Sequence, residues 1–214
     1  MKIEDAMISP VFTLKRDNTI RDALHLIEEK GIRHIPIVDD GNQVIGIVTE
    51  RDLRSALPSV FFRSIEGEDV LERPLESIMN KDVITAHPLD FLEEASLLFY
   101  KYQIGCLPIV KENQLVGIIT ATDILRTFLE LTGASQPGSQ MEIRIENRPG
   151  ELEKILHRIS EKQMNIHSIL IYPDPKSKIH KIVVIRIETI NPNPLADLLR
   201  QDGFQVLWPK GVNA

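Results

Sequence analysis

Cysteine is nearly absent from this chain: Cys106 is the single one among 214 residues. One thiol cannot form an intrachain disulfide, and its place inside an apolar run suits a buried, inert side chain in a reducing cytoplasm. Long apolar runs are missing too. None approaches the 18 or so residues of a membrane span, and the opening Met-Lys-Ile-Glu-Asp lacks the apolar centre of a signal peptide, so neither a membrane nor an export role is expected. Concentrated positive charge is also lacking. Residues 1–139 carry a net charge of −8 and residues 140–214 a net of +2. Neither is the basic surface that nucleic acid requires, so no nucleic-acid partner is expected.

Recognisable catalytic machinery is equally scarce. The six histidines (His25, His34, His87, His157, His167 and His180) form no His-x-x-x-His pair, and Cys106 has no second thiol at metal-ligand spacing. There is no Gly-x-Ser-x-Gly, no phosphate-binding Walker loop and no dinucleotide fingerprint. The expectation is a protein with no metal and no catalytic residues, and not an enzyme.

What the chain does have, it has twice. Gly31-Ile32-Arg33-His34-Ile35-Pro36-Ile37-Val38 followed by Gly46-Ile47-Val48-Thr49-Glu50-Arg51-Asp52 returns as Ile104-Gly105-Cys106-Leu107-Pro108-Ile109-Val110 and Gly117-Ile118-Ile119-Thr120-Ala121-Thr122-Asp123. Pro36 and Pro108 are 72 residues apart and Asp52 and Asp123 are 71 apart, so one residue is missing from the turn between, where a deletion is tolerated. The same offset of 72 aligns Met7 with Met79, Thr13 with Thr85 and Ala23 with Ala95.

Each copy reads strand, helix, strand, strand, helix. Ile20, Ala23, Leu24 and Ile27 fall on one helical face that Gly31 ends; Leu92, Ala95 and Phe99 repeat it. The boundaries predicted are 1–60 and 79–132 for the repeats, with an inter-repeat segment 61–78 whose Phe61-Phe62 could cap the pair or meet another subunit. Thr132-Gly133-Ala134-Ser135-Gln136-Pro137-Gly138-Ser139 reads as a linker over 133–139. Residues 140–208 then read β-α-β-β-α-β, an antiparallel sheet with both helices on one face, so the class is α/β (α+β).

The repeated Thr-x-x-Asp sits where a strand turns into a helix. Thr as N-cap with an acid three residues on is a capping box. The same place offers free amides to a phosphate, an aspartate for ribose hydroxyls, and an upstream Gly for close backbone approach. Both readings can hold at once.

These motifs resemble a tandem pair of CBS domains over residues 1–132. The resemblance implies two repeats packed as a pseudo-symmetric pair with adenosyl ligands (AMP, ADP, ATP, NADH or S-adenosylmethionine) in clefts between them. Asp52 and Asp123 would hold ribose, and Thr49 and Thr120 would contact ribose or phosphate. Backbone around Thr13, Ile35-Pro36, Thr85 and Leu107-Pro108 would line the adenine pockets, with Thr122 beside the second motif. Arg33, His34 and Arg51 give the first site cationic support; the second offers Gly105, Cys106 and Ala121 in that region, unless the first repeat reaches across.

Asn147-Arg148-Pro149-Gly150-Glu151-Leu152 resembles the strand-to-helix turn of ACT domains, ferredoxin-like βαββαβ modules that often take amino acids. Asn147 would cap the helix that Pro149-Gly150 opens, and the amides after it could receive a carboxylate. Ala86-His87-Pro88-Leu89-Asp90-Phe91 and Leu131–Gln140 make the whole arrangement similar to the acetoin-utilisation AcuB family. That resemblance implies a regulatory role in growth on acetoin or butanediol, with a deacetylase-like partner. A homodimer is expected from the Phe61-Phe62 segment beside the amphipathic CBS pair and from the open edges of the C-terminal sheet. A ligand-independent scaffold, in which both Thr-Asp pairs merely cap helices, is the alternative.

Overall fold

The computed structural model describes residues 1–57 and 70–211; Phe61-Phe62 lies outside them. Contacts divide the chain into two units, Met1–Leu125 and Arg126–Ala214.

The first unit contains both repeats. Repeat one holds α1 (Ile20–Lys30), the antiparallel pair β1 (His34–Val38) and β2 (Val44–Thr49), and α2 (Glu50–Ala56). Repeat two holds α3 (Leu92–Tyr102), β3 (Cys106–Lys111) paired with β4 (Gln114–Thr120), and the start of α4 (Ala121–Leu131). The leading strand expected in each repeat is reduced to one parallel bridge, Leu14 with Ile37 and Ala86 with Ile109. Leu14 makes both hydrogen bonds of its bridge, to the Pro36 carbonyl and from the Val38 amide, and Ala86 bonds Pro108 and Val110 in the same way. The next amide in the first repeat, that of Asp39, is taken by the Gln43 carbonyl in the hairpin.

Local chemistry explains the boundaries. Thr19 caps α1, its hydroxyl accepting from the Asp22 amide, and Gly31 ends the helix in the left-handed region at φ 62°. Its counterpart Gln103 takes the same conformation at φ 53° without glycine's freedom. The β1–β2 turn is tied by Asp39, whose Oδ1 accepts from the amides of Gly41 and Gln43. The shorter β3–β4 turn puts Glu112 and Asn113 both at positive φ, the backbone of a two-residue hairpin.

The two repeats exchange short segments. Ile3, Ala6 and Met7 pack into the core of the second repeat with Leu92, Ala95, Leu107 and Ile119. Leu75, Ile78 and Met79 pack into the core of the first with Ile20, Ile35, Val48 and Leu53. Burying Ile3 completely stabilises that exchange by about 1.5–3 kcal/mol. The exchange is reciprocal at the backbone: Ile8 bridges to Ile118, and Asn80 to Ile47.

This packing corrects the expected role of Gly46 and Gly117. A Cβ on Gly46 would lie 2.6 Å from Met79 Sδ, and one on Gly117 2.3 Å from Met7 Sδ. The close approach they permit is to the methionine of the opposite repeat, which accounts for the recurrence of Met7 and Met79.

The second unit holds β5 (Ser139–Glu146), α5 (Glu151–Glu161), β6 (Ile166–Pro173), β7 (His180–Ile187), α6 (Asn193–Gln201) and β8 (Gln205–Trp208). The sheet order is β6-β7-β5-β8, with every neighbouring pair antiparallel. Met141, Ile143, Val183, Ile185 and Ile187 face Ile155, Ile159, Leu195 and Leu199 of the two helices. The predicted β-α-β-β-α-β order is therefore present. No helix among the described residues is long and apolar enough to cross a membrane.

Candidate functional site

Strand β2 delivers Thr49 to the head of α2, opposite His34 in register; β4 delivers Thr120 to the head of α4, opposite Cys106. Both capping boxes are formed. Thr49 donates to Asp52 Oδ2 through its amide (2.8 Å) and hydroxyl (2.6 Å), and the Asp52 amide donates back to Thr49 Oγ1 at 3.3 Å. Thr120 and Asp123 repeat this at 2.9, 2.6 and 3.3 Å. In the first motif every one of these bonds to the carboxylate falls on Oδ2, and Oδ1 accepts no hydrogen bond among the described residues.

Beside the first motif lies a cleft of about 900 Å³, within the range of small-molecule sites. Its lining includes five of the residues expected from sequence: Arg33, His34, Thr49, Arg51 and Asp52. The opposite wall comes from the second repeat, with Asn80, Asp82, Val83 and Ile84 on one stretch and Tyr102 to Cys106 on another. Of these wall residues, sequence reasoning named only Gly105 and Cys106, and those for the second site. The exchanged segment at Met79 is what carries Asn80 to Ile84 there, and the signal for it was the repeat of Met7 at Met79.

The remaining expected residues sit elsewhere. Ile35 and Leu107 are fully buried in the cores. Pro36 and Pro108 use their carbonyls to accept from the amides of Leu14 and Ala86. Thr13, Thr85, Leu107, Pro108, Thr120, Thr122 and Asp123 do not line this cleft.

The cleft's charge is mixed. Arg33, Arg51 and Arg54 face Glu50, Asp52 and Asp82; Glu50 is engaged by Arg54 and lies 3.9 Å from Arg33 Nε. No ion pair engages Arg51 among the described residues. His34 packs across the repeats, so a Cβ on Gly105 would fall 2.5 Å from its Nε2. Burial, helped by Arg33, pushes the His34 pKa below its ordinary value, with Asp52 and Glu50 opposing. Burial alone pushes the Cys106 thiol up to about 12, away from the thiolate.

In the second unit the turn before α5 departs from expectation. Gly150, at φ 88°, is the N-cap, and no side chain caps the helix. Asn147 lies outside it, its amide donating to the Ile179 carbonyl at 2.9 Å. Pro149 is likewise one residue too early to be in the first turn. The positive φ required to enter the helix falls to glycine, so asparagine has no capping position. The polar weight at this end is instead a cluster in which nearly buried Glu151 accepts from Lys154 and Arg148, both at 2.8 Å, which holds its carboxyl below the usual range. A cleft of about 650 Å³ there is lined by Arg148 but not by Asn147, Pro149, Gly150 or Leu152.

Comparison with known proteins bears on the first unit. The chain is 35% identical over 128 residues to a homoserine O-acetyltransferase of Methanococcus vannielii, covering 59% of this chain and 24% of that enzyme. The chain thus spans about a quarter of the length of the first curated relatives it matches. Among solved structures, one described as an acetoin utilization protein (AcuB) from Vibrio cholerae is 40% identical with a TM-score of 0.54, covering 64% of this chain and 98% of its own. A CBS domain pair in complex with 5′-methylthioadenosine and S-adenosyl-L-methionine is 28% identical with a TM-score of 0.52, at the same coverage. The CBS domain model matches residues 3–59 and 75–130, more than half of the chain, and on that match the protein belongs to the CBS domain family.

Proposed function

We propose that this protein is a non-enzymatic regulator that binds an adenosyl nucleotide in the cleft at Thr49 and Asp52. The observation that carries the reading is the division of labour on Asp52. Oδ2 closes the helix cap, and Oδ1 accepts no hydrogen bond among the described residues, within a cleft sized for a small molecule. A ribose diol suits that oxygen, and Arg33 and Arg51 suit a phosphate or carboxylate beyond it. The complex of the similar CBS pair with 5′-methylthioadenosine and S-adenosyl-L-methionine supports the ligand class. Asp123 and Thr120 would hold a second ligand of the same kind, with Thr122 in the place of Arg51. Bound ligand acts by favouring one arrangement of the repeats over another. The likeness to the Vibrio protein supports a setting in acetoin utilisation; butanediol as a further growth substrate and a deacetylase-like partner are part of the same proposal. The second unit is read as an ACT domain, a reading its β-α-β-β-α-β order supports. Titration calorimetry with AMP, ADP, ATP, NADH and S-adenosylmethionine tests the reading. One of them binds with heat of association; silence from all five at millimolar concentration overturns it.

A ligand-independent scaffold is the second reading, favoured by the fact that both capping boxes are satisfied internally. Partner capture indifferent to every nucleotide would select it. A homodimer is part of either reading. Helix α3 exposes Leu97 at 67% and Tyr100 at 80%, where the first repeat carries His25 and Glu28, an apolar face suited to a second copy. Light scattering should give twice the 24.3 kDa of one chain; 24.3 kDa itself would refute it.

A further inference from the structure

The charges that line the first cleft cancel. Arg33, Arg51 and Arg54 stand against Glu50, Asp52 and Asp82, three of each sign. His34, its pKa held down by burial, adds no charge at neutral pH. Arg54 and Arg33 are drawn to Glu50, and Asp52 commits Oδ2 to the helix cap. Among the described residues that leaves one cation and one acid whose side chains no hydrogen bond or ion pair engages. They are Arg51 at the head of α2 and Asp82 on the wall from the second repeat. The backbone that carries Asp82 is fixed to strand β2. The Asn80 amide and carbonyl bond the carbonyl and amide of Ile47, both at 2.9 Å, and the Asp82 amide donates to Asn80 Oδ1 at 3.0 Å. At the offset of 72 the position matching Asp82 is Pro10, so the repeat architecture does not itself require an acid there.

We propose that Asp82 sets the charge preference of the first cleft, favouring an adenosyl ligand with a cationic 5′ substituent, of the S-adenosylmethionine kind, over nucleoside polyphosphates. A ligand whose ribose meets Asp52 extends its 5′ substituent into a cleft with as many acids as cations. A triphosphate brings several negative charges to one unengaged arginine and meets the Asp82 carboxylate as well, and an unpaired like charge is a direct means of rejecting a ligand. A substituent with a cation and a carboxylate finds a partner for each, the cation at Asp82 and the carboxylate at Arg51. This preference rests on the nucleotide reading above and narrows its ligand class.

Titration calorimetry of the full chain and of Asp82→Asn with S-adenosylmethionine, ATP and 5′-methylthioadenosine tests it, read at the site that Asp52→Ala weakens. Asparagine keeps the size and polarity of Asp82 and removes its charge. In the wild type S-adenosylmethionine binds more tightly than ATP. In Asp82→Asn its affinity falls by about two- to fivefold, the scale of a solvent-exposed ion pair, and that of ATP rises by a similar factor. The affinity of 5′-methylthioadenosine, which is uncharged, stays the same. Both shifts shrink at about 1 M salt, where the screening length is about 3 Å. A damaged cleft would weaken all three ligands alike, so shifts of opposite sign report charge and not folding. ATP binding at least as tightly as S-adenosylmethionine in the wild type overturns the preference and leaves the nucleotide reading standing. Shifts of the same sign in the variant, or no shift, do likewise. Silence from every adenosyl ligand in the wild type overturns the nucleotide reading, and the preference with it.

Discussion

At the level of single residues, the charged side chains of the first cleft are kept from neutralising one another completely. Glu50 is drawn off by Arg54, Asp52 spends one oxygen on the helix cap, and His34 is held over Gly105 by packing. His34 makes a pH prediction with a definite sign. Its folded-state pKa is depressed by burial and by Arg33, so the unfolded chain takes up the proton first as pH falls. The stability that neutral His34 contributes is whole above its ordinary value of 6.5 and is lost as pH drops through that value toward the folded one. Denaturation midpoints between pH 7.5 and 5 should therefore decline, and His34→Gln should flatten that decline. An unaltered profile in the variant would mean that Asp52 and Glu50 offset the burial.

At the level of elements, the recurrent strands and helices were legible because period and caps agree locally: Thr19 and Gly31 bracket α1, and Thr49 and Asp52 start α2. What one repeat does to the other was not legible. The wall of Asn80, Asp82, Tyr102 and Gln103 across the first cleft depends on the exchange of segments 3–7 and 75–79, a long-range pairing that no local pattern encodes. Gly46 and Gly117 advertised close approach without saying of what. Asn147 looked like a cap because its residue type fits, while the positive φ at Gly150 decided the matter. The exchange predicts coupling between Gly117 and Met7. Gly117→Ala should destabilise by about 1–3 kcal/mol through overpacking. Adding Met7→Ala should bring the double variant to less than the sum of the single losses. Simple additivity in chemical denaturation would show that the two do not share the space.

For the whole molecule, the family match ends at residue 130, and the chain beyond it forms a four-stranded sheet with two helices. The similarity to much longer enzymes spans about a quarter of their length, and their named activities are not carried over to this chain. The central claim is that an adenosyl nucleotide is held at Asp52. Calorimetric titration of the wild type beside Asp52→Ala and Asp123→Ala, with the nucleotide that binds best, tests it most directly. Losing the ribose contact of a charged acceptor should weaken the first site by about 1.5–3 kcal/mol, roughly ten- to a hundredfold, in Asp52→Ala. Asp123→Ala should leave that site's affinity in place. Equal affinity of the first site in wild type and Asp52→Ala would contradict the account.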